Sequence, residues 1–155
     1  MYLYVSKYSS KFQDEKGKDN FYPAELTKLA DKHIKWNFLS KQEKYQIGYW
    51  RKANAIHNFF VEKCGNGVDE CQSIYVDFDK LLELKERCEA VLNDHSKAEN
   101  LLPTTSGFFF GSQEYDDWYF GDLEYTVDLL NDVIEFIRTN NKDKVYWDCY
   151  YEASW

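Results

Sequence analysis

The stretch YDDWYFGDLEYTVDLLNDVIEFIR, residues 115 to 138, decides the fold class, because its apolar residues recur at helical spacing along its whole length. The predicted buried stripe consists of Trp118, Tyr119, Leu123, Thr126, Val127, Leu130, Val133, Ile134 and Ile137. The opposite face carries the carboxylates Asp117, Glu124, Asp128, Asp132 and Glu135. The pattern therefore predicts a long helix with one face in the core and one acidic face in water.

Helical spacing recurs in three segments upstream of this helix. Pro23 suits the first turn of a helix over residues 23–36. Residues 43–64 predict a second helix, which the glycines of GNG would end. One stripe of this second helix would consist of Trp50, Ala53, His57 and Phe60. Asp77 is the predicted N-cap of a third helix over residues 78–92.

Strand patterns lie mainly at the two ends of the chain. YLYV at residues 2–5 and VYWDCYYEASW at residues 145–155 predict strands that pair with each other, while residues 9–20 have the composition of a loop. No repeat or linker interrupts the sequence, so residues 1–155 are predicted to form a single domain. The predicted class is mainly helical α+β, a compact domain of about four helices with a small antiparallel sheet made from the terminal strands.

Composition narrows the possible partners. The formal net charge is −8, from 27 acidic and 19 basic side chains, and no basic cluster is present. Direct binding to a nucleic acid is therefore not expected, since phosphate backbones require a basic surface. Aromatic residues make up 19% of the chain, and they can fill a core or serve a partner-binding surface.

The N-terminus and the cysteines point to a reducing compartment. No apolar run reaches the length of a membrane span and no signal peptide precedes the first strand, so the expected location is the cytoplasm, without a membrane partner. Cys64 and Cys71 lack the C-x₂-C spacing of zinc sites. We therefore expect no metal site and no cofactor.

A first candidate site lies in GYWRKANAIHNFF, residues 48–60. Arg51, Asn54 and His57 would lie close together on a helix there. In one interpretation Asn54 and His57 satisfy backbone groups of the irregular segment 102–114. In the other they face a ligand, and Arg51 binds its phosphate or carboxylate.

A second candidate site is TTSGFFFGSQEYDDWYF, residues 104–120. Its glycine and serine pairs could form an anion-binding nest and its phenylalanines a stacking face, or the phenylalanines could close the core while the glycines turn the chain. Ser112 is also a possible N-cap for the long helix. The residues proposed for ligand or partner binding in this segment are Ser106, Gly107, Phe109, Gly111, Ser112, Tyr115 and Trp118.

The acidic face of the last helix is the third candidate. Asp128 and Asp132 are spaced to hold a divalent cation or to act as an acid/base pair, but a run of charge along one helix face is usually solvated. We interpret the face as an electronegative docking surface. The sequence contains no H-E-x-x-H motif, no Walker loop, no nucleophile elbow and no Rossmann fingerprint, so no catalytic residue is assigned.

Three segments resemble a family of small proteins encoded by bacteriophages and prophages. These are GYWRKANAIHNFFV, LLPTTSGFFFGSQEYDDWYF, which includes the SGFFFGS motif, and the terminal YYEASW, and the likeness spans roughly residues 45–155. The resemblance implies a phage setting and action in the host cytoplasm. The resemblance assigns no catalytic or binding role to any particular residue.

Together these observations predict a binding protein rather than an enzyme. The expected function is inhibition of a host protein, in particular a component of anti-phage defence, by protein–protein interaction. The alternative is a small-molecule binder that sequesters a nucleotide signal with Arg51, His57 and the glycine-rich segment. A third possibility is a hydrolase whose site has no recognisable motif.

Overall fold

The structure is a computed structural model that describes residues 1–12, 21–33, 38–106, 112–142 and 145–154. Within these ranges the strands are β1 (Tyr2–Phe12), β2 (Phe38–Tyr49), β3 (Ile74–Val76) and β4 (Val145–Glu152). The α-helices are α1 (Ala24–His33), α2 (Asn54–Cys64), α3 (Phe78–Asn93), α4 (Ala98–Leu101) and α5 (Asp117–Asn140). A 3₁₀ turn at His95–Lys97 precedes α4. The expected α+β class is confirmed, although the described residues contain five α-helices where about four were expected.

The four strands form one antiparallel sheet in the order β2-β1-β4-β3. β1 lies inside the sheet, since Val5 pairs with Tyr45 of β2 and with Cys149 of β4. The two ends of the chain therefore pair as expected, but β2 and β3 extend the sheet on both sides. β1 also continues to Phe12, into the range 9–20 that was expected to be a loop.

The prediction of a helix over residues 43–64 is wrong for its first part. Residues up to Tyr49 belong to β2, which pairs with β1 from Tyr49↔Tyr2 to Phe38↔Phe12. The N–H of Trp50 then donates to the carbonyl of Met1 (2.9 Å). The strand forms because β1 supplies a hydrogen-bonded partner far away in sequence, and helical spacing within one segment does not report such a partner.

Helix α5 organises the core. It packs on α3 and along the inner face of the sheet, the face on which α2 also lies. Leu123 and Leu130 are fully buried. Gly48 of β2 permits the close approach of α5, because a Cβ there would lie 2.5 Å from Cδ2 of Leu129. The long amphipathic helix expected from the sequence is thus present, and it begins at Asp117.

Helix α1 behaves differently from the other long helices. Its apolar side chains Leu26 and Leu29 share a face as expected, but more than half of each side chain is exposed. The hydroxyl of Tyr22 donates to the carbonyl of Ser40 (2.7 Å) and ties the start of this segment to β2.

Candidate functional site

The candidate site is a cleft of about 220 Å³ between the N-terminal ends of α2 and α5. Its basic side is formed by Arg51 and Lys52, which are exposed. Its acidic side is formed by Glu114, Asp116 and Asp122. The rest of the lining consists of residues 53–56 at the start of α2, Ser112, Trp118, Tyr119 and Leu123. One small cleft thus presents both signs of charge and the exposed ring of Trp118.

Asp116 fixes where α5 begins and therefore where Trp118 lies. Its Oδ1 accepts the backbone N–H groups of Trp118 (3.1 Å) and Tyr119 (3.0 Å), which makes Asp116 the N-cap. The hydroxyl of Tyr119 donates to the carbonyl of Leu102 (2.8 Å), so this ring points into the core.

Trp118 lies in the first turn of α5 with 85% of its side chain exposed. The expectation that Trp118 belongs to the buried stripe is therefore wrong. The stripe reaches the core from Tyr119 onward, whereas the preceding position lies beyond the edge of the core, where it lines the cleft.

Ser112 does not cap α5, contrary to the sequence-based expectation. Its Oγ accepts the N–H of Glu114 (3.0 Å) in a local turn before the helix. The carbonyl of Ser112 is held by the side chain of Asn54, and the carbonyl of Gln113 by the hydroxyl of Thr104. These bonds fix the segment ahead of α5, so the helix starts only after it.

Asn54 joins the two chain segments that flank residues 107–111. Its Nδ2 donates to the carbonyl of Ser112 (2.8 Å), and its Oδ1 accepts the N–H of Thr105 at 3.4 Å. The side chain is buried, as its partners require. Both the amide N–H and the amide oxygen of Asn54 are therefore bonded to backbone groups. This agrees with the first interpretation, in which Asn54 satisfies the backbone of segment 102–114.

His57 does not line the cleft. Only 2% of its surface is exposed; its Nδ1 lies 2.7 Å from the hydroxyl of Tyr151 and its Nε2 lies 3.0 Å from Oδ2 of Asp69. Burial, and then the charge of Asp69, raise the pKa of Tyr151, so its hydroxyl keeps the proton that it can donate to Nδ1. The Asp–His–Tyr order resembles an acid–base relay, but Tyr151 is only 1% exposed, so its hydroxyl is not accessible from solvent in this structure.

The basic side of the cleft is built by an unusual turn. Lys52 has a left-handed backbone (φ 64°), which carries the chain from β2 into α2 and turns Arg51 outward. Within the described parts of the chain, no side chain caps the first turn of α2. Because the first N–H groups of a helix have no partner within it, this end of α2 favours negative charge.

The acidic side of the cleft contains a perturbed carboxyl group. Burial, and to a smaller extent the charge of Asp116, raise the pKa of Asp122 to about 6. The arrangement would favour a cation placed between these carboxylates, since it would lower the pKa of Asp122 and stabilise both charges.

The acidic face of α5 continues from the cleft along the helix. Its five carboxylates are exposed as expected: Asp117, Glu124, Asp128, Asp132 and Glu135. None of them forms an ion pair within the described part of the chain. The described residues also contain no group of three or more histidine, cysteine or acidic side chains placed to hold a metal.

The other residues proposed from the sequence are only partly brought together. Ser106 is exposed, and Tyr115 packs edge-on against Tyr119 with ring centroids 4.9 Å apart. Gly107, Phe109 and Gly111 lie outside the described residues, so the proposed nest and stacking face do too.

Sequence reasoning missed the other four charged residues of the cleft: Lys52, Glu114, Asp116 and Asp122. The acidic residues ahead of the long helix are a signal for an N-cap, which could have identified Asp116. The position of Lys52 depends on a left-handed turn at a residue that is neither glycine nor asparagine, and no local pattern predicts it.

No protein-family model, curated protein or solved structure matches this chain. The likeness to phage-encoded proteins therefore stays a prediction. Among the described residues, no helix is both long enough and apolar enough to cross a membrane.

Proposed function

We propose that the chain is a non-enzymatic binding protein that holds a basic segment of a partner protein. The binding surface comprises Trp118, the acidic side of the cleft (Glu114, Asp116 and Asp122) and the acidic face of α5. The observation that carries the proposal is the 85% exposure of Trp118 in a cleft with three carboxyl groups.

An exposed tryptophan beside carboxylates suits a lysine or arginine side chain of a partner. Tryptophan gives the strongest cation–π contact and is enriched among the residues that dominate binding energy. A basic group between Trp118 and Asp122 would also compensate the charge of the half-buried carboxylate. At longer range, the net charge of −8 would speed association with a basic partner.

The resemblance to phage-encoded proteins supplies the setting of the proposal. In that setting the partner is a host protein, and components of anti-phage defence are the first targets to test. Inhibition would follow if the docked segment is one that the host protein needs for its own contacts.

The proposal is tested by affinity capture from bacterial lysate with the wild type, Trp118→Ala and Tyr45→Ala. Tyr45 is a matched control, because it is an exposed aromatic residue on β2. We expect the wild type and Tyr45→Ala to retain the same protein, identified by mass spectrometry, and Trp118→Ala to lose it. Equal retention by all three proteins would show that Trp118 is not the anchor.

A second candidate function, binding of a nucleotide, is favoured by the basic side of the same cleft. Arg51, Lys52 and the uncapped first turn of α2 would suit a phosphate group, and Trp118 would suit a base. The three carboxyl groups of the cleft oppose it, since they repel a multiply charged anion. A thermal-shift screen of cyclic and linear nucleotides, with Arg51→Ala as the control, separates the two functions: a shift that Arg51→Ala abolishes would favour nucleotide binding.

A further inference from the structure

The outer face of the sheet, opposite to the helices, is rich in tyrosine. Side chains alternate along a strand, and directly paired residues share a face. Leu3 and Val5 of β1 point to the core. The alternate residues of β1, and the residues of β2 and β4 that pair with them, therefore point outward. The registers place seven tyrosines on this side, which we call the tyrosine face: Tyr2, Tyr4, Tyr8, Tyr49, Tyr75, Tyr146 and Tyr150.

The rings of the tyrosine face are accessible and partly ordered by one another. Tyr49, Tyr75 and Tyr146 are each 50–52% exposed. The ring of Tyr2 lies 5.4 Å from that of Tyr49, and the ring of Tyr75 lies 5.6 Å from that of Tyr150. More than half of the 13 tyrosines of the chain are therefore on a surface that contributes little to the core.

Tyrosine is well suited to protein recognition. It offers a large rigid ring with a polar tip, and it loses little conformational entropy on binding. A sheet holds such rings at fixed spacing, so the surface is ordered before a partner arrives.

Charged groups on the tyrosine face indicate the partner. Glu152 is paired with Lys44, whose ammonium group lies 4.2 Å from the ring centroid of Tyr4. Asp148 pairs with Ser6 in the register and forms no ion pair with any described residue. Burial raises the pKa of Asp148; burial, and then the charge of Asp148, raise the pKa of nearby Tyr75. Asp148 is thus a carboxylate among tyrosine rings that has no cationic partner in the described part of the chain.

We propose that the tyrosine face is a second docking surface, which takes arginine side chains of a protein partner. The planar guanidinium group stacks on a tyrosine ring and pairs with the carboxylate of Asp148 at the same time. Lysine fits less well, because it is a strongly hydrated point charge without a planar face. The surface lies on the strands and does not include Trp118, so the proposal is independent of the proposed function.

Charge also argues against two other occupants. In a symmetric pair of copies, each tyrosine face would bring the carboxylate of Asp148 toward that of the other copy, and like charges in an interface oppose association. Single-stranded nucleic acid would find aromatic stacking, but Lys44 is the only cation that the described strands place on this face, and Glu152 neutralises it.

The test is an NMR titration of the ¹⁵N-labelled full chain with the capped peptide Gly-Arg-Gly-Arg-Gly and with its lysine analogue. We expect saturable shift changes centred on the amides of Tyr75, Tyr146 and Asp148, with the arginine peptide binding about two- to fivefold more tightly. Tyr146→Ser should weaken binding, whereas Tyr45→Ser, an exposed tyrosine on the helix side of the sheet, should not. If Tyr146→Ser does not fold, Asp148→Asn is the variant to compare.

Three outcomes would overturn the proposal. The first is the absence of saturable changes on the tyrosine face, or equal weakening by Tyr45→Ser. The second is tighter binding of octadeoxythymidylate than of the arginine peptide at the same residues, which would make the face a stacking surface for nucleic acid. The third is shift changes on this face that depend on protein concentration alone, which would make the occupant a second copy.

Discussion

Asp122, which lines the cleft, makes the stability of the folded chain depend on pH. Its carboxyl group has a pKa of about 6 in the folded chain against an ordinary value of 3.8, so folding disfavours its charged form. At low pH the group is protonated in both the folded and the unfolded chain, and the penalty is absent. The penalty develops as pH rises from the lower value and is complete above the higher one.

We therefore predict that Asp122→Asn raises the melting temperature at about pH 7.5 and that the gain disappears as pH falls to about 4. The measurement is thermal unfolding of both proteins across this range. Asp128→Asn is the control, because it removes the same charge from an exposed position and should change stability little. A gain of the same size at both ends of the range would contradict the account.

Tyr151 and His57 together show how a buried polar pair is satisfied. Tyr151→Phe keeps the stack on Phe60, whose ring centroid is 4.3 Å away, but removes the hydroxyl that contacts His57. We expect a loss of about 1–3 kcal/mol in the free energy of unfolding, because His57 loses a hydrogen-bond partner in the core. Denaturant unfolding measures the loss. Tyr150→Phe, a hydroxyl removed from the outer face, should cost under about 0.5 kcal/mol.

Single residues were only partly predictable from the sequence. The polar nature of Asn54 and His57 on an apolar stripe correctly required hydrogen-bond partners. For His57 these include Tyr151 of β4 and Asp69, neither of which the sequence pattern indicated. Such partners are set by tertiary contacts. The sequence pattern shows that a buried polar side chain needs a hydrogen-bond partner, but it does not show which residue that partner is.

At the scale of elements, α5 offers the cleanest test of the packing. Leu130→Ala should cost about 2–5 kcal/mol, because Leu130 is fully buried and truncation leaves a cavity. Glu124→Ala on the exposed face should change stability by well under about 1 kcal/mol. Chemical denaturation compares the two variants. Similar losses at both positions would contradict the assignment of the buried and acidic faces.

Helices in which apolar residues recur regularly over a long segment were predictable from the sequence, whereas strand β2 was not. The spacing in α3 and α5 continues over many residues, so it identifies helices without knowledge of their neighbours. The predicted helix over residues 43–64 contains the end of strand β2 and all of helix α2, joined by the turn at Lys52. Each of the two elements is too short to show a clear period of its own in this stretch. The conformation of β2 is decided by pairing with β1, whose partner residues are far away in the sequence.

At the scale of the whole molecule, the two proposed surfaces lie on different layers. The Trp118 surface belongs to the helices, and the tyrosine face belongs to the strands. Both surfaces combine exposed aromatic rings with carboxylates. The negative charge of these carboxylates has the same sign as the net charge of the chain, −8. The composition predicted acidic, aromatic surfaces for a protein partner, but only the fold shows which aromatic residues are left outside the core.

The central claim, that Trp118 anchors a protein partner, is tested most directly by site-specific photo-crosslinking in bacterial cells. A photoreactive phenylalanine replaces Gly121, an exposed position one turn after Trp118 with open space around it, in one variant and Glu86, an exposed residue of α3, in another. We predict a discrete crosslinked protein at position 121, lost when Trp118→Ala is added, and none at position 86. No crosslink at position 121, or the same products at both positions, would contradict the account.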